Sequence, residues 1–115
     1  MKQVTKSIKY RDEEYKIVFN LNVMEIIQEE YGTIEAWGAL TDGKSGEPNI
    51  KALIFGLSAM INEGIEIDNE ETGSNKPLLD KKKVGRMITE VGLAMATDTI
   101  NGVVIESVKS DEKNA

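Results

Sequence analysis

Neither cysteine nor histidine occurs anywhere in this chain of 115 residues. Without cysteine there is no disulfide framework, no thiolate nucleophile and no sulfur-ligated zinc site, and the chain is indifferent to redox compartment. Without histidine the usual general base near neutral pH is missing, together with Ser-His and Cys-His pairs and the commonest transition-metal ligand. An enzyme of this composition would have to rely on carboxylates, lysines or serines. Excess positive charge is lacking too. The net charge of −6 opposes the phosphate contacts that dominate nucleic-acid affinity, and it opposes adsorption to anionic lipid. A protein partner is the default. No apolar run approaches the ~20 residues of a membrane span, and the first residues lack the charged, apolar and small-residue order of a signal peptide. The expectation is a soluble protein that stays where it is made, with no nucleic-acid or membrane partner.

What is present points to an α+β domain. A chain this long is near the commonest domain size and buries roughly two-thirds of the surface its unfolded form exposes. Val4 to Tyr10 and Glu14 to Leu21 are β-branched and aromatic stretches on either side of Arg11-Asp12-Glu13, which predicts an N-terminal β-hairpin. In the second stretch Tyr15, Ile17, Phe19 and Leu21 alternate with Lys16, Val18 and Asn20, as in a half-buried antiparallel strand. Val18 is the imperfect position of that alternation.

Four to five amphipathic α-helices follow. Asn22 has the character of an N-cap with Glu25 completing a capping box, Val23, Ile26 and Ile27 trace an apolar stripe, and Gly32 closes the helix. Thr33 starts a second helix with Ile34, Trp37 and Leu40 on one side, ended by the breaker-rich run Thr41 to Pro48. The third is the strongest pattern: Ile50, Leu53, Ile54, Leu57, Met60 and Ile61 recur at helical steps, with Asn49 as cap and Gly64 as stop. Glu66 to Pro77 reads as an acidic loop. A fourth helix carries Val84, Met87, Ile88 and Val91 between an Asp80 cap and Gly92. Lys81, Lys82 and Lys83 in its first turn oppose the helix dipole and call for fraying or an acidic neighbour. Leu93 to Val108 favours a further helix, although Asn101-Gly102 before Val-Val-Ile is also compatible with a turn into a strand. Residues 1–109 are thus expected as a single α+β domain and residues 110–115 as a disordered polar tail.

Several constellations suggest chemistry and then fail on context. Gly38 to Ser45 matches the phosphate-binding P-loop spacing, but Gly38 sits in a helical stretch and Gly46 and Pro48 follow Lys44, so a glycine-rich connection is expected. Asp68 to Gly73 opens like a calcium-binding loop, yet Leu79 stands twelfth, where a bidentate glutamate is required. The pairs Glu13-Glu14 and Glu29-Glu30 diverge as neighbours on one element and read as solvated faces. Lys81 to Lys83 lacks the aromatic neighbours of a nucleic-acid footprint. Catalytic, cofactor-binding and metal-binding residues are therefore expected to be none. The methionines Met24, Met60, Met87 and Met95, with Trp37, read first as core filling. Methionine and large aromatics also adapt to an apolar partner, which makes Trp37, Phe55, Met60 and Met87 the candidate partner-binding residues.

The order of elements resembles the tail assembly chaperones of long-tailed bacteriophages, in particular the small family related to gene-transfer-agent tail proteins. The likeness runs from Phe19 to Gly92. It comprises Phe19-Asn20-Leu21-Asn22 entering an acidic helix that ends Glu30-Tyr31-Gly32, the core Leu53-Ile54-Phe55-Gly56-Leu57, and a later helix with Val84-Gly85-Arg86-Met87-Ile88. The resemblance implies a non-catalytic chaperone of phage or prophage tail assembly, acting in the host bacterial cytoplasm. Such a protein coats the long helical tape-measure protein and helps recruit the tail-tube protein, and self-association is a further expectation. Related phages often make a second, longer product by frameshifting near the end of this gene, with which Asp111 to Ala115 is compatible as a junction. The alternative is a structural tail-tube or head–tail connector subunit, and a small-molecule enzyme acting through Lys44 or the carboxylates is the remaining class, which the lack of histidine and cysteine disfavours.

Overall fold

The structure, a computed structural model, describes residues 3–44 and 46–113. It is an α+β fold: a two-stranded antiparallel hairpin, β1 (Val4–Tyr10) and β2 (Glu13–Phe19), then helices α1 (Leu21–Tyr31), α2 (Ile34–Thr41), α3 (Ile50–Thr72), α4 (Lys81–Val91) and α5 (Leu93–Lys113). Residues 93–113 are helical throughout, so the strand alternative around Asn101-Gly102 does not hold. The backbone of 110–113, expected within a disordered tail, continues α5, and residues 114 and 115 lie outside the described residues.

Val4 pairs with Phe19, Ile8 with Tyr15 and Tyr10 with Glu13. Ile8, Tyr10, Ile17 and Phe19 therefore share the buried face. Val18 points to the other face and is buried as well, on the strand along which α3 packs. Arg11 takes the first turn position with φ of 58°, a left-handed conformation that disfavours side chains.

The strand ends two residues earlier than its alternation predicts. Leu21 is 67% exposed, and the N-cap is Asn20 rather than Asn22. The Asn20 side chain serves both directions: Oδ1 accepts from the Val23 amide at 3.2 Å while Nδ2 donates to Glu63 Oε2 at 2.6 Å. Asn22 also donates to that oxygen, at 3.0 Å. One carboxylate on α3 thus fixes where the chain changes from strand to helix.

The largest correction concerns α3. Gly64 does not stop it; the helix runs to Thr72 and closes on Gly73, in the left-handed conformation (φ 71°) with its amide donating to Asn69 O. Most of the expected acidic loop is helix. Gly64 is buried because β2 crosses there, and a β-carbon would stand 2.9 Å from the Lys16 carbonyl oxygen. Gly56 plays the same part against Trp37, whose ring would overlap an added β-carbon. The returning segment 73–80 is tied to α3 by two asparagines seven residues apart. Asn69 accepts from the Lys76 amide and donates to its carbonyl, and Asn62 does the same for Leu79, at 2.9 and 3.1 Å. One contiguous core of buried side chains draws on both strands, all five helices and Leu79. No single helix among the described residues is long and apolar enough to cross a membrane.

Candidate functional site

Four residues stood out in the sequence as partner-binding, and the fold separates them. Trp37, Met60 and Met87 are 1%, 0% and 0% exposed, so none can touch a partner while the chain is folded. Trp37 is held further by its indole N–H, which donates to the Ala52 carbonyl at 2.9 Å. Burial wins at these positions because each lies on the inward stripe of its helix, and Gly56 makes room for the indole. Phe55 is one step off that stripe and only half-buried.

Around Phe55 lies a cleft of about 290 Å³ between α1, α3 and the start of α4. Ile26 forms the α1 wall, Phe55, Ala59 and Asn62 the floor, and Leu78 and Lys81 the far wall. Each part is set locally. The Phe55 ring meets the Tyr31 ring edge to face, centroids 5.4 Å apart, and the Lys81 ammonium stands over the Phe55 ring at 5.1 Å from its centroid. Lys81 thus meets an aromatic face where the lysine run called for an acid, while the Asp80 cap accepts from the Lys83 amide at 2.8 Å. The double hydrogen bond from Asn62 to Leu79 fixes the segment that carries Leu78, which stays 49% exposed beside Ile26 at 42%. Glu63 and Glu66 close the rim. Burial raises the Tyr31 phenol above its ordinary pKa, and the neighbouring Glu30 carboxylate adds to the effect.

A second cavity, about 240 Å³, lies between β2, α3 and the 73–80 segment. It is lined by side chains of both signs, among them Glu13, Lys16, Asp68, Lys76 and Lys83. The Lys16 ammonium donates to Asp68 Oδ1 at 2.7 Å, and that hydrogen bond, with the carboxylate's field behind it, raises the lysine pKa.

The P-loop spacing lies at the end of α2 and in the connection to α3. Gly38 is helical, and the Lys44 amide is used by the Asp42 side chain at 2.9 Å rather than turned toward a phosphate; Ser45 lies outside the described residues. Asp68 to Thr72, read as a calcium-like loop opening, is the last turn of α3. Among the described residues no group of three or more carboxylates could hold a metal ion. Among the described residues, the buried hydroxyls of Ser58, Thr97 and Ser107 have no hydrogen-bond partner. The arrangement around Phe55 is a largely apolar cleft with Glu63, Glu66 and Lys81 among its lining residues.

Sequence reasoning missed Ile26 and Leu78 as surface groups. Leu78 carries no periodic signal, because it lies between helices. The legible hint was Asn62, a half-buried amide beside the apolar stripe of α3, which calls for a hydrogen-bond partner outside the helix.

No protein-family model, curated protein or solved structure matches this chain.

Proposed function

We propose that this chain is a non-catalytic tail assembly chaperone of a bacteriophage or prophage. In this reading it works in the host bacterial cytoplasm, binds the tape-measure protein and helps recruit tail-tube subunits. The resemblance spanning Phe19 to Gly92 supplies the family. The observation that supports client binding is the cleft at Phe55, where Ile26 and Leu78 stay exposed beside a half-buried aromatic. An apolar seam on a helical client finds complementary surface there, and the net charge of −6 keeps the coated client soluble. So small a cleft gives each copy modest affinity, as required of a coat that must be displaced when tube subunits polymerise.

The test is co-expression with a phage tape-measure protein from the same genome. A client that turns soluble and co-purifies supports the reading; an insoluble client contradicts it. The alternative, a structural tail-tube or connector subunit, draws on β1, which among the described residues is paired with β2 alone. Lys6 and Lys9 on that strand disfavour edge-to-edge growth. Mass in solution separates the two, since a tube or connector subunit forms rings or polymers.

A further inference from the structure

We infer that the Phe55 cleft selects a cationic amphipathic helix, one whose apolar ridge is flanked by lysine or arginine. The inference rests on the client-binding reading above and names the chemistry of the client segment. Its first support is shape. On α3 the cleft residues Phe55, Ser58, Ala59, Asn62, Glu63 and Glu66 follow steps of three and four. They form one straight stripe of about 16 Å, three helical turns, at about 1.5 Å per residue. With Ile26 on one side and Leu78 on the other, the stripe is a trough running along a helix. An occupant helix presents its own ridge at matching spacing.

Charge supplies the second support. Glu63 and Glu66 stand on the α3 rim. Glu29 and Glu30 follow Ile26 by three and four residues, are exposed, and so flank the trough from α1. The Glu30 carboxylate is close enough to act on the Tyr31 phenol, whose ring packs on Phe55. Glu63 is already held by the Asn20 and Asn22 side-chain amides, which leaves Glu66, Glu29 and Glu30 to meet a client cation, against the Lys81 ammonium over the Phe55 ring and the exposed Lys51 four residues before Phe55. A second copy of this acidic chain would bring like charges together across the trough. A small molecule is also a poor fit, because an open cleft of about 290 Å³ falls at the bottom of the ~300–1,000 Å³ range of small-molecule sites. Basic flanks on an apolar ridge satisfy both features.

The test uses the full chain and two synthetic labelled peptides of about 18 residues, five helical turns, sharing one leucine ridge but flanked by lysine in one and glutamate in the other. Fluorescence anisotropy should show the lysine-flanked peptide bound, with affinity falling about tenfold from low to high salt as the rim charges are screened. Glu66→Lys should weaken it about threefold, and Leu78→Gln about tenfold by removing one apolar contact. Both substitutions lie at exposed positions, and thermal melts confirm that the variants remain folded. Equal binding of the two peptides, binding of neither, or indifference to Leu78→Gln overturns the inference. The two readings also fail separately. If the lysine-flanked peptide binds but the tape-measure protein does not co-purify, the assembly role falls and the selectivity stands. If the tape-measure protein co-purifies equally with wild type and Glu66→Lys while neither peptide binds, the reverse holds.

Discussion

Trp37 and Phe55 are the two aromatic side chains that the sequence marks as anchors for a partner, and the fold treats them oppositely. Trp37 on α2 is sealed against α3, its N–H satisfied by the Ala52 carbonyl and its ring seated on Gly56. Phe55 lies one residue before that glycine, on the same helix, yet faces a cleft. The difference comes from what stands opposite. A glycine lets a large ring reach van der Waals contact with a helix backbone, whereas Ile26 and Leu78 leave a trough that no side chain of the described residues fills. Hydrophobicity ranks the two residues alike, and only the partner surface separates them.

Truncating each ring in turn separates the two environments most strongly. Trp37→Ala should cost about 3–5 kcal/mol of folding stability in urea unfolding, as for a fully buried aromatic. Phe55→Ala should cost only about 1–2 kcal/mol, from its edge-to-face and cation–π contacts, while abolishing client binding. Equal costs would put both rings in one core and remove the cleft from the account.

Between those two effects lies a test of the close approaches that make the sealed side possible. Gly64→Ala places a methyl against the Lys16 carbonyl, a backbone atom that cannot swing away. It should lose about 1–3 kcal/mol, even though alanine gains up to about 1 kcal/mol in a helix interior. Gly85→Ala on α4 meets only the tip of Ile54 at 3.5 Å, so there the helix gain should show as unchanged or increased stability in the same assay. A loss at Gly85 as large as at Gly64 would mean that the α3–β2 crossing is not special.

The smallest effect is the dependence on pH. Lys16 is raised above 10.5, first by its hydrogen bond to Asp68 and then by that carboxylate's field. Tyr15 and Tyr31 are raised above 10.0, chiefly by burial. All three hold protons more tightly folded than unfolded. Their contribution is complete below those ordinary values and is lost as pH rises through the folded ones. Thermal midpoints should therefore fall on the alkaline side of about pH 10, with Lys16→Met removing part of the slope. Midpoints that rise with pH in that window would contradict the assignment.

Much of the architecture is legible in residue order. The hairpin follows from alternation, α2 and α4 from Thr33 and Asp80 as caps, and the inward stripe of α3 from its apolar steps. Other features turn on tertiary contact. Asn20 and Asn22 are equally good caps in isolation, and Glu63, more than forty residues on, decides between them. Gly64 looks like a stop because glycine ends many helices, yet here it admits a strand. Leu40 and Met95, read as inward-facing, are 39% and 57% exposed, whereas Thr41 is buried. The cleft was visible only through Phe55. Its walls come from a turn of α1 and a segment between helices, brought together by the paired hydrogen bonds of Asn62 with Leu79.

The measurement that bears most directly on this account is co-purification of the tape-measure protein with the doubly substituted chain Ile26→Gln, Leu78→Gln, beside wild type. Both positions are exposed, so the fold should survive, as a thermal melt can verify. The account predicts that wild type carries the client into the soluble fraction while the double variant leaves it insoluble. A client retained equally by both would show that the Phe55 cleft is not where it docks.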